Sequence, residues 1–158
     1  MNLKIREARI GEYEKIVDLY KQEGPPRRII KIRRDVKKDF EEMRKGKRLI
    51  LFAEVDNKVV GTVQLIYELE DKELADGKSI ANLHHLRVKE EFRNKGIATK
   101  LEKKLAEVAK KKGFKMITLS IGHDQSYDFL KRIYEGWGYI FLKENPEENE
   151  TCFYKEIT

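Results

Sequence analysis

The stretch from Leu86 to Leu105 constrains the fold most strongly, because it combines a strand end, a basic turn and an amphipathic helix. The strand end is predicted at residues 86–88, and the helix is predicted to begin near Lys95. From there, apolar residues recur at steps of four, four and three, which gathers them on one helical face. These residues are Ile97, Leu101, Leu105 and Val108.

The basic turn is predicted to bind an anion. Gly96 allows a close backbone approach, and the first amide N–H groups of the helix have no intrahelical partner. Arg93, Lys95 and Lys100 surround these donors at the positive end of the helix dipole, which predicts a site for a phosphorylated ligand. The turn lacks the Gly-Lys-Ser/Thr ending of a nucleoside-triphosphate loop and the three spaced glycines of a dinucleotide fingerprint, so neither of those ligands is favoured.

Two segments carry motifs of a known family. Residues 93–98 have the sequence Arg-Asn-Lys-Gly-Ile-Ala, and residues 133–139 have the sequence Ile-Tyr-Glu-Gly-Trp-Gly-Tyr. The first resembles the acyl-CoA pyrophosphate loop of the GNAT family of N-acetyltransferases, whose pattern is Gln or Arg, two variable residues, Gly, one variable residue, then Gly or Ala. The second is similar to the family's Leu-Tyr-x-x-x-Gly-Phe segment. The resemblance covers nearly the whole chain and implies a single N-acetyltransferase domain over residues 1–158.

The pattern along the chain predicts an α/β fold with a mixed sheet. The predicted order, β-α-α-β-β-β-α-β-α-β-β, gives helices on both faces of the sheet in a three-layer arrangement. The GNAT resemblance implies the same acyl-CoA N-acyltransferase fold. The predicted elements are a strand over 2–9, a helix from 13 that Gly24, Pro25 and Pro26 end, one or two helices over 27–45, strands over 48–55, 59–69 and 80–88, a helix from 95 to 113, a strand over 116–121, a helix from 125, and strands over 137–142 and 151–157.

The resemblance implies that acetyl-CoA binds as the co-substrate. It assigns the pyrophosphate to backbone N–H groups of residues 93–98, assisted by the side chains of Arg93 and Lys95 and by a hydroxyl of Thr99. Main-chain groups of Leu86 and Val88 are implied to pair with the pantetheine arm like an added strand, and an amide near Leu86 to polarise the acyl carbonyl. The predicted cofactor-binding residues are Leu86, Val88, Arg93, Asn94, Lys95, Gly96, Ile97, Ala98 and Thr99.

Direct acetyl transfer needs a proton acceptor for the amine and a proton donor for the departing thiolate. The resemblance assigns the donor role to Tyr134, whose alternative role is that of a core aromatic. The resemblance implies that His84 is the base, because it lies four residues before Val88, where some members of the family place a catalytic histidine, and an imidazole is mostly neutral at pH 7. Its alternative role is that of a hydrogen-bonded core residue. His85 is expected to point to the opposite face of the sheet, since strand side chains alternate. His123 ranks below His84 as a candidate base.

One position departs from the family pattern. Many relatives have an asparagine seven residues before the tyrosine, where this chain has Tyr127. The polar contact that this asparagine makes to the pantetheine must therefore be lost, replaced or moved.

Composition limits the other classes of function. The 158 residues are 40% hydrophobic and 39% charged, which suits one core under an ionic surface. No apolar run approaches the length of a membrane span and the first residues carry no apolar signal region, so a cytoplasmic protein is expected. Cys152 is the only cysteine, which excludes an internal disulfide, and the three histidines lack metal-binding spacing, so no metal site is expected. The abundance of Lys, Glu, Arg and Ile resembles that of proteins from heat-loving organisms.

The leading hypothesis is direct transfer of the acetyl group of acetyl-CoA to a primary amine of a small molecule, a protein or a peptide. The alternative is an acyl-CoA-binding module without turnover, with a basic segment over 27–48 that docks on nucleic acid. Apolar residues interrupt that segment as in an ordinary amphipathic helix, so nucleic acid is not the favoured partner. No membrane partner is expected. Neither the acceptor nor the oligomeric state follows from the sequence.

Overall fold

The computed structural model describes residues 1–21 and 27–158, and these contain seven β-strands and four α-helices in the predicted order. The predicted helix end at Gly24, Pro25 and Pro26 lies outside the described residues. Within them, no helix combines the length and apolar content needed to cross a membrane. The elements are β1 (Leu3–Glu7), α1 (Tyr13–Tyr20), α2 (Arg27–Arg44), β2 (Arg48–Val55), β3 (Lys58–Ile66), β4 (Ile80–Val88), α3 (Ile97–Lys111), β5 (Met116–Gly122), α4 (Tyr127–Gly136), β6 (Ile140–Asn145) and β7 (Glu150–Glu156).

The seven strands form one mixed sheet in the order β1-β2-β3-β4-β5-β7-β6. β4 and β5 are parallel, with residues 80–82 opposite residues 116–118. β1 pairs with β2, β2 with β3, β5 with β7, and β6 with β7 in antiparallel fashion. A parallel pair requires a crossover connection, and α3 lies in the segment that connects β4 to β5. The predicted α/β class with a mixed sheet is confirmed.

Residue contacts divide the chain into two compact units. The first unit comprises Met1–Ile66 and His84–Leu105, and the second comprises Tyr67–Leu83 and Ala106–Thr158. β4 contributes residues 80–83 to the second unit and residues 84–88 to the first. The expectation of one N-acetyltransferase domain over residues 1–158 stays a prediction.

In the first unit, α1 and α2 pack their apolar faces with side chains of β2. The buried residues of each helix lie on one face, and most of the other positions of α2 carry charged residues. Full burial of a large apolar side chain contributes about 1.5–3 kcal/mol, so this cluster holds α2 firmly beside β2. Its most buried large members are Ile16, Val17, Val36, Phe40, Ile50 and Phe52.

An ion-pair network joins β1 to β2 and to the start of α1. Arg6 donates to both carboxylate oxygens of Glu12, at 2.9 and 2.8 Å, and also to the carboxylate of Glu54. Glu12 accepts a further hydrogen bond from the backbone N–H of Arg9 at 2.7 Å. Chiefly through the bond from Arg6, this network holds the pKa of Glu12 far below its usual range. The carboxylate therefore stabilises the fold in its ionised form.

In the second unit, β5, β7 and β6 form an antiparallel group with a buried apolar side. Asp76, just before β4, accepts hydrogen bonds from the backbone N–H groups of Lys78, Ser79 and Ile80 at 2.8–2.9 Å, which anchors the start of that strand. These bonds, that of Ile80 foremost, lower the pKa of Asp76 to about 2. The largest side chains of this core, each at most 2% exposed, are Ile117, Leu119, Tyr139 and Phe153.

Some element boundaries differ from the predictions. β3 ends at Ile66, earlier than expected, and α3 begins at Ile97, just after the expected start. The strand predicted over 137–142 is observed as β6, which begins later. The reason is that Trp137 closes α4, since its N–H bonds the carbonyl oxygen of Tyr134 at 3.0 Å, and Gly138 then turns the chain with φ of 98°. Residues 27–44 form one helix rather than two.

Candidate active site

The turn between β4 and α3 has the backbone geometry of an anion-binding loop. Asn94 and Gly96 have φ angles of 62° and 80°, in the left-handed region. The N–H of Lys100 donates to the carbonyl oxygen of Gly96 at 3.1 Å, so the N–H groups of residues 97–99 precede the first N–H that donates within the helix. Left-handed residues before a helix help to turn N–H groups toward a common concavity, where the helix dipole adds positive potential. The segment is therefore suited to hold phosphate oxygens.

The side chains of the loop leave its backbone accessible. Gly96 is exposed, and a methyl group at its Cα would meet no atom within 4 Å. Ile97 is 1% exposed and anchors the start of α3 in the core, so only its main chain can face a ligand. Of the other predicted loop residues, three are exposed, namely Arg93, Asn94 and Lys95. Two are half-buried, namely Ala98 and Thr99.

The end of β4, predicted to pair with pantetheine, is clamped to the loop. Val88 is buried and Leu86 is half-buried. Arg93 is exposed but folds back, and its Nε donates to the carbonyl oxygen of Val88 at 2.9 Å. This bond engages one lone pair of that carbonyl. Among the described residues, the parallel ladder between β4 and β5 comprises residues 80–82 of β4, and residues 84–88 lie beyond it.

The rings of His84 and His85 contact each other, with centroids 4.0 Å apart and ring planes at 73°. The prediction that they point to opposite faces of the sheet is therefore wrong. The cause lies in the backbone, because His85 has φ of 52° and interrupts the alternation of side chains along β4. Both residues are exposed. Desolvation by the surrounding protein is the largest cause that lowers the pKa of both rings to about 4, so both are neutral at pH 7.

A polar network in the first unit was not predicted from the sequence. Arg48 Nη1 donates to Gln64 Oε1 at 2.7 Å and lies 3.2 Å from Asp39 Oδ1, while its Nη2 donates to Glu42 Oε2 at 2.5 Å. Gln64 Nε2 donates to Asp39 Oδ2 at 3.3 Å. One sequence pattern could have indicated this network, namely the spacing of acidic residues in α2. Asp35, Asp39 and Glu42 are spaced by four and three residues, which places them on one face of α2.

Tyr134, the predicted proton donor, lies in the second unit on α4 and is 9% exposed. The rings of Trp137 and Tyr139 pack against it edge-on, at centroid distances of 5.4 and 6.3 Å. Burial raises the pKa of the Tyr134 phenol, so the hydroxyl keeps its proton throughout the neutral range. The same raised pKa makes the phenol a weaker acid than a free tyrosine, and its role as the proton donor stays a prediction.

His123, the lower-ranked candidate base, has both ring nitrogens engaged. Nδ1 lies 3.1 Å from Asn149 Oδ1 and Nε2 lies 2.6 Å from Thr151 Oγ1, whose hydroxyl donates to Glu144 at 2.9 Å. The residue thus ties the end of β5 to β7 and is less available to accept a substrate proton. Tyr127 packs its ring edge-on against His123 at 5.3 Å, so the residue at the usual asparagine position serves in packing.

The remaining reactive side chains give no second site. Across residues 1–21 and 27–158, no group of three or more His, Cys, Asp or Glu side chains is arranged to hold a metal ion. Cys152 is buried in β7, with its Sγ 3.3 Å from Ser120 Oγ. Burial raises the pKa of this thiol, which keeps it in the unreactive protonated form.

Comparison with solved structures identifies acetyltransferases of the same fold. The PaiA N-acetyltransferase of Thermoplasma acidophilum, in complex with coenzyme A, is 19% identical with a TM-score of 0.75, and the match covers 99% of each chain. An N-acetyltransferase from Staphylococcus aureus is 16% identical, with a TM-score of 0.76 and full coverage, 100% of both chains. Aminoglycoside 6'-acetyltransferase type Ii is 21% identical, with a TM-score of 0.75 over 98% of this chain and 97% of that one. Identities this low show the fold alone.

Sequence comparison shows the family. Comparison with curated protein sequences gives no significant match. The family model described as the acetyltransferase (GNAT) family matches residues 13–139, which include both the loop over residues 93–98 and the segment over residues 133–139. Because this match spans most of the chain and contains both motifs, the chain belongs to the GNAT family of acetyltransferases.

Proposed function

We propose that the chain is an N-acetyltransferase that transfers the acetyl group of acetyl-CoA directly to a primary amine of a small molecule, a protein or a peptide. The observation that carries the proposal is the backbone of Asn94 and Gly96, whose left-handed conformations precede the N-terminus of α3. A family member with this anion-binding loop needs a ligand with phosphates. Acetyl-CoA supplies both the phosphates and the acyl group, and the PaiA structure contains coenzyme A.

Acetyl-CoA would be held mainly by main-chain groups. The N–H of Arg93 bonds the carbonyl oxygen of Glu90 at 3.2 Å, so within the predicted loop the N–H groups of residues 94–98 would bond the pyrophosphate. The open space beside Gly96 allows close approach. Arg93 and Lys95 would add positive charge, and the hydroxyl of Thr99 a further hydrogen bond. Main-chain groups of Leu86 and Val88 would pair with the pantetheine arm. A carbonyl oxygen has two lone pairs, and Arg93 Nε engages one of them at Val88.

The acceptor must lose a proton before it can attack. An amine with a lysine-like pKa is neutral in only about one molecule in two thousand at pH 7. His84 would take this proton, and its lowered pKa ensures that the ring is neutral and able to accept it. The same low pKa makes His84 a weak base on its own, so its effectiveness depends on negative charge nearby.

The remaining steps are stabilisation of the oxyanion and protonation of the leaving group. An amide N–H near Leu86 would polarise the acyl carbonyl as the amine nitrogen attacks it. When the C–S bond breaks, Tyr134 would give its proton to the CoA thiolate, for which a buried, protonated phenol is suited. No covalent enzyme intermediate is required. We propose that residues 1–158 perform these steps as one domain.

No specific observation favours the alternative of a binding module that docks on nucleic acid. Within the basic segment 27–48, Arg33 pairs with Glu14, Arg44 with Glu41, and Arg48 with Asp39 and Glu42. These pairs neutralise part of the positive charge inside the chain. Location in the cytoplasm and origin in a heat-loving organism stay predictions from composition.

The decisive experiment measures release of the CoA thiol from acetyl-CoA across a panel of polyamines, aminoglycosides, amino acids, and peptides with free N-termini or lysines. We expect release that depends on one class of amine, which would also name the acceptor. Calorimetry with acetyl-CoA provides the separate measurement of binding. Binding without release across the panel would favour a module that binds acyl-CoA without turnover, and absence of binding would overturn the assignment of residues 93–98.

A further inference from the structure

The polar network of α2, β2 and β3 carries an unbalanced negative charge. Arg48 is shared by two carboxylates, at 3.2 Å from Asp39 and at 2.5 Å from Glu42. The side chains of Asp39 and Arg48 are only 17% and 11% exposed, and Gln64, which bonds both of them, is 2% exposed. With both carboxylates ionised, one guanidinium leaves a surplus of one negative charge in a poorly solvated place.

Such a surplus is costly unless a cation or a proton balances it. Burial raises the pKa of Asp39, in keeping with that cost. The two histidines of β4 do not supply the balancing charge at pH 7, since both rings are neutral. The network is therefore electrostatically prepared to receive a positive charge.

The negative charge of Asp39 is less well compensated than that of Glu42. Glu42 makes the short bond to Arg48 and is 33% exposed, so solvent and the guanidinium both stabilise its charge. Asp39 has only the longer contacts, at 3.2 Å to Arg48 and 3.3 Å to Gln64. Its carboxylate has lone pairs left to accept further hydrogen bonds.

Asp39 also acts on His84. In the first unit, the charged or titratable groups that act on the His84 ring are Asp39 of α2, Arg48 of β2 and the neighbouring His85. The His85 ring is affected in turn by Asp35 of α2 and by Arg48 and Arg87. Among the groups that act on His84, only Asp39 favours the protonated ring.

We propose that Asp39 is a positioning residue for acetyl transfer, whose carboxylate draws the acceptor's ammonium group to His84 and stabilises the imidazolium that forms there. The inference rests on the proposed function. The ammonium N–H bond breaks and the proton goes to His84. The free amine nitrogen then forms a bond to the acyl carbon, the C–S bond breaks, and the thiolate takes a proton from Tyr134.

The test uses Asp39→Asn, which keeps the shape of the side chain and removes its charge. With an aliphatic primary amine that the wild type acetylates, we expect kcat/KM to fall about 10–100-fold at pH 7. The defect should shrink to about 3-fold or less at pH 10, where much of the amine is already the free base. Asp39→Glu should restore most of the activity at pH 7. The affinity for acetyl-CoA, measured by calorimetry, should stay unchanged in both variants.

Glu41→Gln is the matched control, because Glu41 lies on the same helix, is exposed, and pairs with Arg44. It should leave kcat/KM unchanged at every pH. Should Asp39→Asn fail to fold, Asp39→Ser, which keeps an acceptor for Gln64, is measured in the same way.

The outcomes separate the two claims. A wild type that acetylates amines, together with an Asp39→Asn defect that is absent or independent of pH, overturns the role of Asp39 and leaves the proposed function intact. A wild type that binds acetyl-CoA but acetylates no amine overturns the proposed function, and the role of Asp39 with it.

Discussion

Replacement of Gly96 by alanine separates the stability of the predicted phosphate loop from its proposed binding role. Gly96 and Gly113 lie just before and just after α3, and their φ angles are 80° and 96°. A methyl group at either position would meet no atom within 4 Å. Gly96→Ala and Gly113→Ala therefore impose the same kind of backbone strain without a steric clash inside the protein, which makes Gly113→Ala a matched control.

The two variants should lose similar stability. A left-handed conformation costs an L-residue about 1–2 kcal/mol. The lower conformational entropy of alanine in the unfolded chain offsets about 0.4–1 kcal/mol of this cost. We expect each variant to lose about 1 kcal/mol in the free energy of unfolding, measured by urea denaturation.

Binding of acetyl-CoA should distinguish the two variants. If the pyrophosphate approaches the backbone at Gly96, a methyl group there displaces it and weakens one or two hydrogen bonds to a charged group, each worth about 1.5–3 kcal/mol. Since about 1.4 kcal/mol corresponds to a tenfold change, Gly96→Ala should raise the Kd about 10–100-fold. Gly113→Ala should leave the Kd within about 2-fold of the wild-type value, because backbone strain at Gly113 lowers stability without touching the predicted binding loop.

Isothermal titration calorimetry of both variants with acetyl-CoA provides the measurement. A Kd that is equal in the two variants would refute the assignment of the loop around Gly96 as the pyrophosphate site. A Gly96→Ala variant that loses several kcal/mol of stability would instead refute the estimate of backbone strain.

Three further substitutions test other parts of the structure. Tyr134→Phe should lower kcat about 100-fold at pH 7 without weakening acetyl-CoA binding, and turnover that is unchanged at neutral and alkaline pH would remove Tyr134 from the mechanism. Glu12→Gln should lose about 3 kcal/mol at pH 7, because it breaks a largely buried pair while Glu54 stays on Arg6. The low folded-state pKa of Glu12 stabilises the protein above the ordinary carboxyl pKa, and this contribution is lost as the pH falls below it. The free energy of unfolding, measured by denaturation at pH 7 and at pH 3, should therefore fall less between these two pH values for Glu12→Gln than for the wild type. An equal fall in both proteins would contradict the role of the network. Gly61→Ala should lower the free energy of unfolding by about 1–3 kcal/mol, since its Cβ would lie 3.2 Å from the carbonyl oxygen of Arg87. A Tm equal to that of the wild type would show instead that the strands adjust to the added methyl group.

Local sequence patterns predicted most of the fold. The bounds of β2 and β4 agree with the prediction, because short apolar runs between turn residues define strands without help from distant contacts. The start of β6 did not follow from its pattern. Trp137 is as compatible with a strand as with a helix end, and the hydrogen bonds that close α4 decide between them.

The candidate site was predicted in part. Residues 93–98 were predicted to bind phosphate from their cations, their glycine and the family motif. The left-handed angles of Asn94 and Gly96 are compatible with this role, which stays a prediction. The role of Arg93 as a clamp on Val88 was not predicted, since an arginine beside a phosphate loop is equally able to face the ligand.

The sequence by itself determined the order of strands and helices, the mixed α/β class and the family, because each depends on residues that are close together in the chain. Tertiary structure decided the relation of His84 to its neighbours. The left-handed backbone of His85 brings the two rings together against the rule of alternation. Asp39, Arg48 and Gln64 come from one helix and two strands, so their hydrogen bonds and ion pair form only when tertiary packing brings the three side chains together.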